Sequence, residues 1–464
     1  MAMCDTRCPF VVKTSNCCIS EKKYIIDWIL GEIYALDYQL VIHDQSETYI
    51  ELEDKQLILP DTFFSHADKH WLSGVSVPQT VFRINVHIDK DYETLIIGDP
   101  SSEQNWIKFE NISKLNIDIF GSLFFLISRY EELASDMRDE HDRFPSWEAL
   151  LGKHGQLDRA IGNEYIELLW AALIAQWPHL IRPRREARIL PSHDIDSPSA
   201  YWEQGVLSIL KLGIKSFLYQ RNVLRSVRQV VEGVCYPRLG WREDPFDTID
   251  KIMTFSEAAG TVSSFFYIPE KTCHKMDLGM PIFHPQIEKQ WERIAARGHN
   301  IGVHPGYNTY QDAELLNRCA NSIRNQLKKM GIEQTEMGGR QHFLRWETSK
   351  TAVAWDQAGM DYDSTLGFAD RSGFRCGVCY EFPLYDLLDR KPLKLRERPL
   401  ILMECSVIDE LYMGLGHGDE SVNYMLKLKQ ECLRYGGDFT ILWHNQRFID
   451  PREIEIYKTL LGIS

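Results

Sequence analysis

The hydrophobic and polar positions in the first third of the chain alternate between helical spacing and short strand-like runs. Residues 24–36 and 164–176 carry apolar residues on one face, as amphipathic helices do. Residues 57–59 and 95–97 are short apolar runs typical of strands, and residues 117–127 form a longer apolar stretch. This pattern predicts a mixed α/β unit.

A polar segment containing a proline, residues 181–186, is typical of a linker between domains. Beyond it, strand-like and helical runs alternate, which favours a parallel sheet or a β/α barrel. The predicted strands are 187–191, 261–268 and 439–443, and the predicted helices, each followed by a glycine, are 285–297, 349–358 and 421–435. We therefore predict an accessory α/β domain over residues 1–183 and a second domain over residues 184–464.

One segment, residues 207–242, interrupts the alternation with a long helical pattern. Its apolar residues are interspersed with basic ones, namely Lys211, Lys215, Arg221, Arg225 and Arg228. A basic amphipathic helix can lie on an anionic membrane, so peripheral membrane contact is one interpretation. The other interpretation is a helix face that is solvated.

Composition and net charge favour some classes of protein and argue against others. The 464 residues are 44% hydrophobic and 25% charged, which is ordinary for a globular protein of two or more domains. The net charge of -14 argues against nucleic acid as a main partner. Eleven dispersed cysteines and the lack of a long apolar segment favour reduced thiols, no signal peptide and a cytoplasmic location. The oligomeric state is not indicated.

Four signals in the second half each follow a strand-like run, the end at which β/α barrels build active sites. The first is Asp194 with Asp196. A metal bound to one carboxylate relieves the repulsion between the pair and leaves the other as a base. An Asp-rich turn that caps a helix is the alternative.

The other three signals contain histidines and an arginine. His304 ends a short strand and could bind a metal through a neutral imidazole, or could be a turn residue before Pro-Gly. Arg340 could orient a catalytic carboxylate or form a structural salt bridge, and the nearby His342 is a second candidate ligand. His444 directly follows a buried strand and could be a general acid or a core histidine.

Taken in order, these segments resemble the motifs of the polysaccharide deacetylases, the NodB-like enzymes of carbohydrate esterase family 4. Asp194-Ile-Asp196 resembles the family's base followed by a metal ligand, and residues 262–268 resemble its second strand. Residues 298–304 are similar to its G-H-E-I-G-x-H motif, which implies that His304 is a ligand.

The last two motifs extend the resemblance. Residues 340–343 resemble R-x-x-[FY], which implies that Arg340 orients the base. Residues 441–444 resemble L-x-L-H, which implies that His444 is the general acid.

The sequence departs from the family at one ligand. The family's second metal histidine stands four residues after His304, where this chain has Asn308. Either the amide oxygen of Asn308 ligates weakly or His342 supplies the missing imidazole, which is the assignment we prefer. A third possibility is that no catalytic metal binds, as in relatives that hydrolyse cyclic amides.

Residues 118–132 and 363–377 resemble a branch associated with exopolysaccharide and lipopolysaccharide biosynthesis, whose members share an N-terminal domain. We expect residues 363–379, rich in Gly, Arg and aromatics, to form a wall of the sugar cleft. We predict Tyr307, Phe368 and Arg375 as substrate-binding residues, with surface solvation as the alternative for the arginine. Cys376 and Cys379 are expected to be two reduced thiols.

The resemblance implies a distorted (β/α) barrel preceded by a smaller mixed α/β domain. It implies a metal-dependent hydrolase that removes N-acetyl groups from an amino sugar of a surface or exopolysaccharide precursor. The divalent metal, with zinc preferred for mixed nitrogen and oxygen ligands, would be held by Asp196, His304 and His342. The rival hypotheses are a metal-independent hydrolase of cyclic amides and a non-catalytic carbohydrate-binding subunit of a biosynthetic complex.

Overall fold

The computed structural model describes residues 9–98, 105–202, 206–220, 223–239 and 244–464. The strands are β1 (Phe10–Ser15), β2 (Tyr38–His43), β3 (Glu47–Leu52), β4 (Lys55–Pro60), β5 (Val81–His87), β6 (Asp91–Ile97), β7 (Trp106–Phe109), β8 (Ile112–Leu115), β9 (Arg188–Ile195), β10 (Ser264–Tyr267), β11 (Asn300–Val303), β12 (Gly338–Gly339), β13 (Tyr362–Asp363), β14 (Phe382–Asp386), β15 (Lys391–Glu397), β16 (Leu402–Met403) and β17 (Asp438–Leu442).

The α-helices are α1 (Ile19–Ile26), α2 (Thr62–Ala67), α3 (Ile119–Ile127), α4 (Tyr130–Leu133), α5 (Leu150–Lys153), α6 (Ile161–Gln176), α7 (Val206–Gln220), α8 (Val223–Leu239), α9 (Ile249–Ala258), α10 (Pro285–Ala296), α11 (Ala313–Met330), α12 (Lys350–Gln357), α13 (Glu404–Ile408), α14 (Asp419–Arg434) and α15 (Pro451–Leu461). No helix in these described ranges is long and apolar enough to cross a membrane.

The first part of the chain contains both strands and helices, as the pattern predicts. Six strands form one sheet in the order β2-β1-β3-β4-β8-β7, and β5 and β6 form a separate antiparallel hairpin. Helix α3 is buried along its whole length, and Asp118 caps it by accepting a hydrogen bond from the Gly121 amide at 2.8 Å. The helix predicted over residues 24–36 begins earlier, at Ile19, and continues from Asp27 to Ile33 as a π-helix.

The second part contains a nine-stranded sheet in the order β14-β15-β13-β12-β11-β10-β9-β17-β16. Neighbouring strands are parallel except for β14 and β15, so the alternation of strands and helices correctly indicates a parallel sheet. Within the described residues, β14 and β16 are the two edge strands of this sheet, and they do not pair with each other. The sheet is a curled half-barrel, which is consistent with the distorted barrel that the resemblance implies.

A close backbone contact fixes the middle of this sheet. A Cβ atom placed on Gly339 of β12 would lie 1.9 Å from the Val303 carbonyl oxygen of β11. A Cβ atom on Gly338 would lie 2.1 Å from the Tyr362 ring. At position 339 the contact is with backbone, so only glycine fits there, and both glycines directly precede Arg340.

One hydrophobic core includes residues of both parts of the chain. The Tyr24 ring lies 4.8 Å from that of Tyr385 in β14, and the Trp28 ring lies 5.9 Å from that of Phe382 in the same strand. A buried carboxylate, Glu132, also joins the parts by pairing with Arg375 at 2.8 Å. The domain boundary near residue 183 stays a prediction.

The sheet places the candidate chemistry at one edge. Strands β9, β11, β12 and β17 are all parallel, so their carboxyl ends meet at that edge. Each sequence signal lies at the end of one of these strands. We refer to this edge as the site edge.

Candidate active site

Asp194 is held by a buried guanidinium. Arg340 Nη1 donates to Asp194 Oδ1 at 2.8 Å, and both side chains are almost fully buried. The rest of the guanidinium donates to the Ser192 hydroxyl at 2.8 Å and to the Ser364 carbonyl at 2.7 Å. These contacts fix the orientation of Arg340. The other oxygen of Asp194, Oδ2, is not bonded to Arg340 and lies 3.7 Å from His304 Nε2.

Asp196, His304 and His342 form a compact cluster of metal-ligating types. Asp196 Oδ1 lies 3.1 Å from His304 Nε2 and 3.6 Å from His342 Nε2. One ligand atom from each residue lies within 4.8 Å of the others. Asp196 Oδ1 is buried and, among the described residues, no group donates it a hydrogen bond of normal geometry.

The outer nitrogens of both histidines are engaged. His304 Nδ1 lies 2.6 Å from the Arg340 carbonyl, and His342 Nδ1 lies 2.7 Å from Asp277 Oδ1. Because both partners accept hydrogen bonds, each Nδ1 donates, and each Nε2 faces Asp196. An unpartnered carboxylate oxygen facing two such nitrogens fits a divalent cation, and the hydrogen-bonded outer nitrogens match the usual support of metal-binding histidines.

The carboxylates and imidazoles of the cluster stabilise one another's charged forms. Burial would raise the pKa of Asp196, but His342, His304 and His444 hold it well below its ordinary value. Burial would lower the pKa of His304, but the carboxylates of Asp194 and Asp196 raise it. The site therefore stabilises positive charge beside Asp196.

His444 faces the same carboxylate from the end of β17. Its Nε2 lies 3.5 Å from Asp196 Oδ2, and its Nδ1 lies 2.5 Å from Oε1 of the buried Glu404. Burial would lower the pKa of His444, but Glu404 and Asp196 raise it to about 10. The imidazole is therefore protonated at neutral pH and can donate a proton.

The remaining predicted ligand lies apart from this cluster. The Asn308 side chain is exposed and its amide donates to the Thr272 carbonyl at 2.9 Å. Of the two alternatives for the missing histidine, the structure brings His342 to the cluster. The role of either residue as a ligand stays a prediction.

Of the predicted substrate-binding residues, Tyr307 contacts Asp277, the residue that also binds His342. It is half-buried, its hydroxyl lies 2.9 Å from His141 Nδ1, and its backbone amide donates to Asp277 at 2.9 Å. His141 comes from the first part of the chain, so that part contributes to the rim of the site.

Phe368 and Arg375 are placed differently from the expectation of a cleft wall. Both are buried, and the guanidinium of Arg375 packs over the Phe368 ring. It donates to both oxygens of Glu132, at 2.9 and 2.8 Å, and to the Gly367 carbonyl at 2.9 Å. Arg375 thus forms a buried structural ion pair with Glu132, which neutralises its charge. The side chain is neither solvated nor directed at a cleft. Cys376 and Cys379 are buried free thiols.

Two supporting residues, Asp277 and Glu404, were missed by sequence reasoning. Glu404 directly follows the apolar run 400–403, and an acid at the end of a strand-like run is a signal that could have identified it. Asp277 lies in a loop without hydrophobic periodicity, and no local pattern points to it.

One family model matches the first part of the chain. Residues 10–178 match a family of unknown function, DUF7033. No curated protein matches the chain.

Similar solved structures include two described as polysaccharide deacetylases. The one from Mycobacterium smegmatis is 14% identical, with a TM-score of 0.36, over 60% of this chain and 83% of that chain. The one from Pseudomonas aeruginosa PAO1 is 14% identical, with a TM-score of 0.34, over 61% of this chain and 88% of that chain. A third, PuuE allantoinase, is 14% identical, with a TM-score of 0.35, over 61% of this chain and 87% of that chain. Polysaccharide deacetylases are the family that the sequence motifs resemble, and the functional assignment rests on the site itself.

Proposed function

We propose that this chain is a metal-dependent hydrolase that removes an N-acetyl group from an amino sugar of a surface or exopolysaccharide precursor. The observation that carries the proposal is the convergence of Asp194, fixed by Arg340, on the cluster of Asp196, His304 and His342. This juxtaposes a candidate base and a candidate metal site. The substrate class, an N-acetylated amino sugar of a surface or exopolysaccharide precursor, rests on the motif resemblance alone.

Asp196, His304 and His342 are the residues that would hold the metal, and their nitrogen and oxygen donors suit zinc. A divalent ion there would supply Lewis-acid chemistry, lowering the pKa of water and polarising the acetyl carbonyl. The unpartnered Asp196 Oδ1 favours this hypothesis over metal-independent hydrolysis of cyclic amides.

Asp194 is the proposed general base. Arg340 occupies Oδ1, so Oδ2 remains to accept the proton of the attacking water. The contacts of Arg340 with Ser192 and Ser364 hold the carboxylate in one orientation, and a fixed orientation is a prerequisite for efficient proton transfer.

His444 is the proposed general acid. Amide cleavage expels an amine, which leaves readily only after it gains a proton. Glu404 keeps the imidazole protonated and fixes its ring by binding Nδ1, so that Nε2 carries the proton toward the site. A purely carbohydrate-binding subunit has no use for this pairing of a buried acid with a buried base.

The test is acetate release from a panel of N-acetylated amino sugars and oligosaccharides by the metal-loaded protein. We expect Asp194→Asn to lower kcat by about 10²–10⁴-fold, because the base is lost while the ligands remain. Asp91→Asn, at a carboxylate that is exposed on β6, is the matched control and should be fully active. Undiminished acetate release by Asp194→Asn would exclude Asp194 as the base.

A further inference from the structure

Helices α7 and α8 form a hairpin between β9 and α9. Gly213 of α7 packs on Val230 of α8, and Gly233 of α8 packs on Ile209 of α7. The two pairs run in opposite directions along the chain, so the helices are antiparallel. The two glycines pack against Ile209 and Val230 in this contact, and other apolar residues of both helices are exposed.

Each helix of the hairpin carries an exposed apolar stripe. On α7 the stripe is Leu207, Leu210, Ile214 and Phe217, and on α8 it is Leu224, Val227, Val231 and Val234. Apolar residues spaced three and four apart form the helix face that amphipathic helices normally bury. Here Ile214 is 62% exposed and Leu224 is 84% exposed, so both stripes lack a cover in the described structure.

The charge of the hairpin is opposite to that of the chain. Residues 206–239 contain six Lys or Arg and one Glu, whereas the whole chain has 66 acidic and 52 basic residues. Lys211 is exposed beside the α7 stripe. Arg228 pairs with Glu232 at 2.9 Å. Arg221 and the side chains of Lys215, Arg225 and Arg238 lie outside the described residues.

The base of the hairpin adjoins the site edge. The Asn445 amide donates to the Ser197 carbonyl at 3.0 Å and to the Phe246 carbonyl at 2.9 Å. These two carbonyls lie on either side of the hairpin in sequence, and Asn445 is the neighbour of His444. A surface that held the hairpin would therefore lie close to the site edge.

We propose that the α7–α8 hairpin docks on an anionic lipid surface, with its apolar stripes among the acyl chains and its basic residues at the headgroups. Exposed apolar stripes on a segment of net positive charge are the combination that binds anionic bilayers. A second copy of the chain is a poorer occupant, because it would bring two cationic hairpins together. An acidic protein would leave the length of both apolar stripes unexplained.

The experiment is flotation of the full-length protein with phosphatidylcholine vesicles that contain about a third phosphatidylglycerol, compared with pure phosphatidylcholine vesicles. We expect binding to the anionic vesicles that weakens as salt is raised. Ile214→Asp and Leu224→Asp should each lower the partition coefficient by about tenfold or more, because each removes apolar contact and adds a repelled charge. Lys211→Glu should lower it less.

Ile181→Asp is the matched control, because Ile181 is 83% exposed and lies outside the hairpin. It should bind vesicles like the unchanged protein. Circular dichroism and thermal unfolding confirm that each variant is folded, as expected for substitutions at exposed sites. No substrate is used, so the result is independent of the hydrolase assignment.

The proposal is wrong if the unchanged protein fails to float with anionic vesicles, or if Ile181→Asp loses as much binding as Leu224→Asp. It is also wrong if Leu224→Asp converts a dimer into a monomer in sedimentation while vesicles are never bound. That last result would assign the stripes to a contact between copies of this chain.

Discussion

Asp277 accepts a hydrogen bond from Nδ1 of His342 at 2.7 Å, and this contact directs the other nitrogen of the ring toward Asp196. Asp277 is itself fixed, because its oxygens also accept from the backbone amides of Thr272, Cys273 and Tyr307. Burial would raise the pKa of Asp277, but His342 and the amides lower it to about 2. Asp277 is therefore an ionised carboxylate that positions a candidate ligand.

Asp277→Asn should weaken metal binding by about 10–100-fold, because an amide cannot both orient the ring and keep every backbone contact. Competition with a metal-binding dye measures the affinity. The matched control is Asp118→Asn, since Asp118 is a buried carboxylate with a comparable set of backbone donors in the first part of the chain. Equal losses of affinity in the two variants would show that Asp277 acts only through stability.

Glu404→Gln should change the pH dependence of the reaction. His444 must be protonated to act as an acid, so activity is lost as the pH rises through its pKa. Glu404 helps to raise that pKa to about 10, and removing its charge lowers the pKa. The alkaline limb of the kcat profile should therefore move to lower pH, while Glu410→Gln, at an exposed position, should leave it in place. An unmoved limb would remove His444 as the acid.

His193 links stability to pH. It is buried between the Trp443 carbonyl, at 2.7 Å, and the Ser263 hydroxyl, at 3.2 Å, and burial lowers its pKa to about 4. The unfolded chain binds the proton with an ordinary pKa of 6.5. The stability that this neutral histidine contributes is thus present above pH 6.5 and is lost as the pH falls toward 4.

The free energy of unfolding should therefore fall by up to about 1.4 kcal/mol per pH unit in that window from His193 alone. Urea unfolding at a series of pH values should show a shallower fall for His193→Asn. His87→Asn, which changes an exposed histidine, should keep the slope of the unchanged protein. Parallel curves for all three proteins would contradict the assignment.

The sequence identifies the residues at the site edge because parallel strands bring their carboxyl ends together. Asp194, Asp196, His304 and His444 each follow a strand-like run, so their convergence could be predicted without knowing the exact strand order. Their chemical roles remain predictions.

The supporting contacts could not be predicted in the same way. Arg375 pairs with Glu132, which lies 243 positions earlier, and no local pattern connects them. Asp277 reaches His342 from an irregular loop. Such contacts depend on how the two parts of the chain pack, which periodicity does not encode.

Gly339→Ala should destabilise the fold and the site together. The added methyl group would lie 1.9 Å from the Val303 carbonyl oxygen, so β11 and β12 must separate. We expect a loss of about 2 kcal/mol or more in the free energy of unfolding. Gly74→Ala, where the added atom meets nothing within 4 Å, should change it by less than about 1 kcal/mol. Urea unfolding of both variants is the measurement, and equal stabilities would contradict the close approach.

The most direct test of the metal site is the metal content of the purified protein after dialysis against a divalent ion, measured by mass spectrometry of the element. We predict about one equivalent per chain, strongly reduced in His304→Ala and in His342→Ala and retained in His141→Ala, which alters a histidine at the rim. A chain that retains no metal, or that hydrolyses its amide substrate equally well after treatment with a chelator, would contradict the proposed site.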